Sequence, residues 1–274
     1  MMNHATQGTY PPGSTFKLIT LLEYIRENPD TWQDFHYTCT GTYTNGDYVV
    51  NCHDGVAHGE LDIYGILGMS CNGAFDTIAQ TLNSTKWQKL AEDFGYNQSD
   101  RSQVDFPYKK SHFDIASDDS VWSRMQLAIG QGTTTVTPLL NLMIYAAIAN
   151  DGVMMTPYLV DHYLDADGNV VEQTKPKALR SVCTKAEAEL MDEFLTYVIT
   201  NGTAAAGGSQ YARVSGKTGS AQYDSTKNYH AWFCGYGTND VSEIAVCVMI
   251  EKGGAGGIVA APVAGQIFDY YFSR

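Results

Sequence analysis

The stretch YPPGSTFKLIT, Tyr10 to Thr20, decides how the chain begins to fold. Two prolines and a glycine set a turn. Ser14 then heads an apolar pattern in which Phe16, Ile19, Leu22 and Ile25 recur at helical spacing, with Leu18 and Leu21 beside them. Asn28-Pro29 ends it, because the residue before a proline is turned away from helical geometry. The pattern predicts a core helix from Ser14 to Ile25 with one lysine, Lys17, in its first turn. A cation there opposes the partial positive charge of the helix N-terminus, and lysine is rarely buried, so a use other than stability is expected. Residues three apart share a helix face, which brings the Ser14 hydroxyl and the Lys17 amine within reach of each other. A desolvated lysine loses pKa and, once neutral, can take a serine proton. The helix start also presents unpaired backbone N–H groups where an oxyanion would form.

Outward from this helix the texture changes. FHYTCTGTYTNGDYVVNCHDGVAHG alternates polar with aromatic or β-branched residues around Asn45-Gly46 and predicts a small irregular hairpin excursion. Two helical patterns, LDIYGILGM and GAFDTIAQTL, flank Ser70-Cys71-Asn72, which reads as an extended loop. The middle, to about Gly202, reads as mostly helical through KWQKLAEDFGY, SRMQLAIGQG, TPLLNLMIYAAIANDG and TKAEAELMDEFLTYVIT, with FDIASDD as a solvated loop. After AAAGGSQ, the segments ARVSGKTGSAQY, HAWFCGYGT and SEIAVCVMIEKG predict three strands with joints at DSTKN and GTND. EKGGAGGIVAAP reads as a mobile loop, and AAPVAGQIFDYYFS as a closing helix. A helical block followed by antiparallel strands makes the fold class α/β in the α+β sense: an antiparallel sheet flanked by helices, with a mainly helical subdomain.

Composition bounds the function. In 274 residues, 44% hydrophobic content is ample for a core, and a net charge of -13 argues against nucleic acid as a partner, since phosphate recognition needs clustered Lys and Arg. No apolar run approaches the ~20 residues that span a bilayer, so this chain is expected to carry no membrane segment. Three short motifs carry chemistry. Ser14-x-x-Lys17 is common by chance. Ser70-Cys71-Asn72 alone fits a helix cap, and Lys217-Thr218-Gly219 with Ser220 alone fits an edge strand guarded by a lysine. Glycine in a strand also marks a place where a peptide-like ligand can lie, with a cation and two hydroxyls for a carboxylate.

In this order the three resemble the Ser-x-x-Lys, Ser-x-Asn, Lys-Thr-Gly set of the penicillin-binding protein and serine β-lactamase superfamily. ATQGTYPPGSTFK, HGELDIYGILGMSCNGAF, AIGQGTTTVTPLLNLMIYAAIANDG, GKTGSAQ, HAWFCGYG and APVAGQIF extend the resemblance over nearly the whole chain, to the transpeptidase domain of class B penicillin-binding proteins. The resemblance implies a single transpeptidase domain over residues 1–274, with a helical subdomain at roughly 20–205 and the sheet and closing helix at roughly 206–274 joined by the N-terminal segment. It implies a D,D-transpeptidase that cross-links peptidoglycan through a serine acyl-enzyme and is inhibited by β-lactams. Ser14 would be the nucleophile and Lys17 its base. Ser70 and Lys217 would relay a proton to the leaving amine, Asn72 would bind the donor amide, and Thr218, Gly219 and Ser220 would line the substrate, with the backbone N–H groups of Ser14 and Ser220 as oxyanion hole. No cofactor and no metal are implied. The implied partners are peptidoglycan stem peptides, β-lactam antibiotics and the cell-wall synthesis machinery, at the extracytoplasmic face of a bacterial membrane to which the full-length protein would be anchored.

Other branches of the superfamily are weighed by motif. A class A β-lactamase needs a glutamate with an asparagine four residues on, and SQVDFPYKK offers no such pair; Asn72 also departs from the Ser-x-Val of class D enzymes. Slow deacylation follows. A β-lactam sensor domain, a serine β-lactamase and an inactive truncated fragment are the alternatives. Family members have sheet strands ahead of the serine helix where this chain supplies thirteen residues, so the sheet is expected to lack N-terminal strands and to leave an edge able to pair between chains. Ser220 replaces the more usual threonine and keeps the hydroxyl. Cys39, Cys52, His53 and His58 are read against a metal site because of their long gap. In an extracytoplasmic protein a Cys39–Cys52 disulfide fits better, and Cys71 reads as a packing residue.

Overall fold

The computed structural model describes residues 2–98, 104–224, 226 and 228–274. A short helix α1 (His4–Gln7) leads into the Pro-Pro-Gly turn, and a 3-10 turn over Gly13–Phe16 runs directly into α2 (Lys17–Glu27). The predicted single helix is thus a 3-10 turn followed by an α-helix, and Ser14 stands on the tighter part. Leu18, Ile19, Leu21, Leu22 and Ile25 are all buried, so α2 is wrapped by the rest of the molecule and forms its axis.

The excursion that follows holds β1 (His36–Cys39), β2 (Thr42–Asn45), β3 (Tyr48–Asn51) and β4 (Gly59–Asp62). β2 and β3 close at Gly46-Asp47, one residue on from the Asn-Gly signal, while β1 pairs with β4 from Cys39↔Gly59 to His36↔Asp62. Helices α3 (Ile63–Gly68), α4 (Asn72–Thr81), α5 (Ser84–Asp93), α6 (Val121–Ala128) and α7 (Pro138–Ala149) match the helical patterns read above.

The stretch after α7 corrects the expectation of a mostly helical middle. Two ribbons lie there: β5 (Val153–Met155) pairs with β8 (Ala178–Ser181), and β6 (His162–Leu164) with β7 (Val170–Gln173). The second closes on a turn in which the Asp165 carboxylate accepts from the Asp167 and Asn169 amides, turn chemistry that strand length alone does not reveal. FDIASDD is a loop, but not simply a solvated one. Phe113 and Ile115 are buried, and the Phe113 ring stacks on Phe16 at 4.9 Å between centroids.

After α8 (Lys185–Asn201), the strands β9 (Arg213–Gln222), β10 (Tyr229–Thr238) and β11 (Glu243–Ile250) form an antiparallel sheet in the order β11-β10-β9. It is the three-stranded sheet expected, and among the described residues β11 is unpaired on its outer side. The β9–β10 joint DSTKN lies partly outside the described residues. The closing helix α9 (Gly256–Phe272) begins within the glycine-rich stretch, so EKGGAGGIVAAP is mostly helix and not a mobile loop. The Gly256 amide donates to Ser220 Oγ at 3.0 Å, which caps the helix on β9 and fixes its start.

The segment before Ser14 is clamped from both sides. Tyr10 exchanges backbone hydrogen bonds with Val136, and the Trp232 indole donates to Pro11 O at 3.0 Å. The Gly13 amide donates to Gly130 O at 2.9 Å. Gly130 has φ 69, and a β-carbon there would stand 2.2 Å from the Gly13 carbonyl oxygen. Gly130→Ala is therefore expected to cost about 2–3 kcal/mol in urea denaturation, from left-handed strain plus that overlap. A loss under about 0.5 kcal/mol would show that the clamp does not constrain the turn.

Candidate active site

The Ser14 turn is built before it is used. The Thr15 hydroxyl donates to Pro12 O at 2.9 Å, Asn141 Nδ2 donates to Thr15 Oγ1 at 3.1 Å, and the buried Tyr145 hydroxyl donates to Thr15 O at 2.9 Å. Asn141 and Tyr145 lie one turn apart on α7, so one helix face holds the backbone on which Ser14 rides. Side chains at i and i+3 eclipse in a 3-10 turn, which stacks Ser14 over Lys17 more directly than an α-helix would. Ser14 is half-buried, and its Oγ makes no hydrogen bond among the described residues.

Lys17 is fully buried. Its Nζ donates to Ser70 O at 2.8 Å and to Asn72 Oδ1 at 2.6 Å, with Ser70 Oγ farther off at 3.3 Å, and it lies 5.2 Å from the Phe75 ring centroid. Burial lowers its pKa to about 8, and ionisation of the neighbouring Cys71, Cys52 or Asp76 would oppose that shift. The net depression corresponds to about 3 kcal/mol against the ammonium form.

Ser70 and Asn72 reach Lys17 from a turn of a different kind from the one expected. The Ser70 amide donates to Leu67 O at 3.1 Å and the Cys71 amide to Ile66 O at 2.9 Å, the paired bonds of a Schellman ending to α3. Ser70 occupies the left-handed position of that motif, φ 53, where glycine is usual. The segment is a tight reversal, and it brings Ser70 and Asn72 together by reversing the chain between α3 and α4. Asn72 Nδ2 in turn donates to Asn51 O at 2.8 Å, tying the motif to the end of β3.

The third motif lies on β9. Gly219 abuts Pro12 and Thr15, where a β-carbon would meet Pro12 O at 2.9 Å, so the strand passes directly beside the Ser14 turn. Lys217 is fully buried, and its Nζ donates to Thr218 O at 3.0 Å. Burial holds its pKa well below the ordinary lysine value, and the charge of Lys17 lowers it further, so the two amines act on each other. Thr218 Oγ1 shares a hydrogen bond with Thr203 Oγ1 at 3.0 Å. Ser220 Oγ accepts from Gly256 and keeps its O–H free to donate.

Ser14, Lys17, Ser70, Asn72 and Gly219 thus meet at the start of α2, and Lys217 shares the field of Lys17, whereas Thr218 and Ser220 flank Gly219 on β9 with their hydroxyls bonded to Thr203 and Gly256. Sequence reasoning missed Asp76, Asn141, Tyr145 and Thr203. Asp76 is buried, both of its carboxyl oxygens lack a hydrogen-bond partner, and burial raises its pKa well above the usual carboxylate range against the opposing charge of Lys17. A carboxylate one turn after Asn72 on the apolar face of GAFDTIAQ was the available signal. The Cys39–Cys52 disulfide is corrected: all six cysteines are free thiols, and Cys39 Sγ stands 3.6 Å from Cys52 Sγ where a bond requires about 2.05 Å. His53 points elsewhere, toward Asp54 and the Tyr229 ring.

Residues 1–269 match the family described as the penicillin binding protein transpeptidase domain, and the chain belongs to that family. Its relatives place it with the class B penicillin-binding proteins. It is 26% identical over 275 residues to the peptidoglycan D,D-transpeptidase PbpA of Mycolicibacterium smegmatis, over 96% of this chain and 55% of that protein. The D,D-transpeptidase domain of a peptidoglycan glycosyltransferase from Eggerthella lenta superposes with a TM-score of 0.86 at 28% identity, over 97% of this chain and 66% of that one. Penicillin-binding protein A from M. tuberculosis, solved as a penicillin G acyl-enzyme complex, superposes with a TM-score of 0.82 at 25% identity, over 96% and 61%. The chain spans about half the length of the curated relatives it matches. No helix among the described residues is long and apolar enough to cross a membrane.

The strained Ser70 separates local stability from chemistry. Ser70→Gly relieves a left-handed residue worth roughly 1–2 kcal/mol and is expected to be at least as stable as the parent, whereas Ser70→Ala keeps the strain and is less stable. Equal losses for both in urea denaturation would mean that the hydroxyl, not the backbone, dominates the energetics of this turn.

Proposed function

We propose that the chain, acting as one domain over residues 1–274, is a penicillin-binding D,D-transpeptidase that forms a serine acyl-enzyme with D-Ala-D-Ala stem peptides, cross-links peptidoglycan and is inhibited by β-lactams. The observation that carries this reading is the buried Lys17 amine. A neutral amine has two N–H donors and one lone pair. Ser70 O and Asn72 Oδ1, the two short contacts, take both donors, which leaves the lone pair toward hydroxyls, with Ser70 Oγ at 3.3 Å among them.

Ser14 Oγ then attacks the carbonyl of the penultimate D-alanine, and its proton passes to Lys17 Nζ. The developing oxyanion is held by the backbone N–H groups of Ser14 and Ser220; the first belongs to a helix start, where the amide lacks an intrahelical acceptor. The peptide C–N bond breaks, and terminal D-alanine leaves as an amine that takes a proton relayed by Ser70 and Lys217. Asn72 binds the donor amide, with Asn51 O holding its side chain in place. Thr218 and Ser220 donate to the substrate carboxylate beside Gly219. The amine of a neighbouring stem peptide attacks the ester, loses a proton, and frees Ser14 as the cross-link forms.

Slow hydrolysis of the acyl-enzyme accords with the carboxyl group that acts on Lys17. Asp76 is buried and its pKa is raised, so it is poorly suited to activate a water. The domain would work at the extracytoplasmic face of a bacterial membrane within cell-wall synthesis machinery.

Intact-protein mass spectrometry with benzylpenicillin tests the reading. The expected result is an adduct of the full antibiotic mass that persists for hours and is absent in Ser14→Ala, together with acyl transfer from a thioester donor to D-alanine. An adduct that decays as penicillin is consumed would make the protein a β-lactamase. A stable adduct without transfer would make it a β-lactam sensor, and no adduct would overturn the assignment.

A further inference from the structure

The excursion over residues 36–62 has little to hold it. Its strands are four residues long and mostly exposed, and Cys39, Val50, Cys52 and Leu61 are the apolar side chains it buries. Two short ribbons with so small a core need a staple. Yet this segment carries Asn51, whose carbonyl holds Asn72.

Four ligand-type side chains converge beneath it. The sulfurs of Cys39, Cys52 and Cys71 and a ring nitrogen of His58 all lie within 4.8 Å of one another. The sulfur separations are 3.6 Å for Cys39–Cys52 and 3.8 Å for Cys52–Cys71. A tetrahedral zinc with Zn–S bonds of ~2.3 Å has sulfur–sulfur edges of ~3.8 Å. The three sulfurs are buried, and His58 Nδ1 is buried with no hydrogen-bond partner. A buried imidazole nitrogen without a partner is costly, and a metal ion supplies one.

The surroundings suit thiolates. The Gly41 amide donates to Cys39 Sγ at 3.4 Å, and the amides of Asn72, Gly73 and Ala74, at the start of α4, are turned toward the sulfurs of Cys52 and Cys71. Such N–H···S contacts surround thiolate ligands in metal sites. The ligands come from the end of β1, the residue after β3, the residue before β4 and the N-cap of α4, so one ion would join all four elements.

We propose that Cys39, Cys52, His58 through Nδ1, and Cys71 bind one structural Zn²⁺ ion that anchors the excursion to the Ser70-Cys71-Asn72 turn. This reverses the sequence reading that set a metal aside. The long gap between Cys39 and Cys52 is closed by the fold, Cys71 joins from outside the set considered in sequence, and of the two histidines His58 is the ligand and His53 is not. Three thiol protons pass to solvent on binding, giving a closed four-coordinate site with no open position for substrate. Cys71 lies between two groups that hold Lys17, and Cys52 adjoins the carbonyl that holds Asn72. The ion is therefore a positioning element for the site and takes no part in acyl transfer.

The test is metal analysis of the full chain purified without chelator. About one zinc per chain is expected, with an X-ray absorption edge fitted by three sulfurs at ~2.3 Å and one nitrogen at ~2.0 Å. Cobalt(II) exchange should give thiolate-to-metal charge-transfer absorption. Cys52→Ser should weaken that band at saturating cobalt, and both Cys52→Ser and His58→Ala should bind Zn²⁺ at least tenfold more weakly, while His53→Ala matches the parent in both respects. Chelation of the parent should lower its melting temperature, and added Zn²⁺ should restore it. Absence of metal together with an unchanged melting temperature on adding Zn²⁺ would overturn the proposal. So would a mass two hydrogens light that maps to a Cys39–Cys52 disulfide, or a His58→Ala chain that binds zinc like the parent.

Discussion

The structure depends on one buried amine that, among the described residues, makes no hydrogen bond to a carboxylate. Lys17 sits in the first turn of the central helix, where burial and the helix dipole both disfavour its charge, and only a main-chain carbonyl and a side-chain amide oxygen receive its protons at short range. A direct ion pair would have kept it an ammonium. The neutral oxygens instead satisfy a neutral amine, so placing it in the core costs less in that state and leaves it a basic lone pair. Everything around the site serves to keep those two oxygens where they are.

That support comes from parts of the chain far apart in sequence. α7 holds the Ser14 turn through Asn141 and Tyr145, Gly130 closes on Gly13, and Trp232 of β10 holds Pro11. The Schellman ending of α3 forces Ser70 into a left-handed conformation, a strain of the kind that persists where surrounding contacts over-determine it. Both lysines lie in one field, so charging either disfavours charging the other.

Much of this was legible in the residues. The apolar spacing from Phe16 to Ile25, the Asn45-Gly46 turn and the three C-terminal strands follow from local patterns; the strands formed as read, the helix opens with a 3-10 turn, and the hairpin closes one residue on, at Gly46-Asp47. Ser14, Lys17, Ser70, Asn72 and Lys217 were recognisable as a set. What escaped was non-local. The pairing of β1 with β4 depends on the closure of a loop, and the buried faces of Phe113, Asp76 and Asn141 depend on neighbours supplied by other elements. The ribbons between 153 and 181 are short and exposed, so no periodicity marks them. Cys71 looked like packing because its partners Cys39, Cys52 and His58 lie in a different element, brought near only by the turn at Ser70.

The most direct measurement is the second-order rate of benzylpenicillin acylation as a function of pH. In the proposed mechanism Lys17 accepts the Ser14 proton only when neutral, and burial brings its pKa to about 8, while Lys217 on β9 shares its field. The rate should therefore climb about tenfold per pH unit below that value and level off above it, with its midpoint near 8. A rate that is flat from pH 6 to 10, or that falls as the amine loses its proton, would contradict the account.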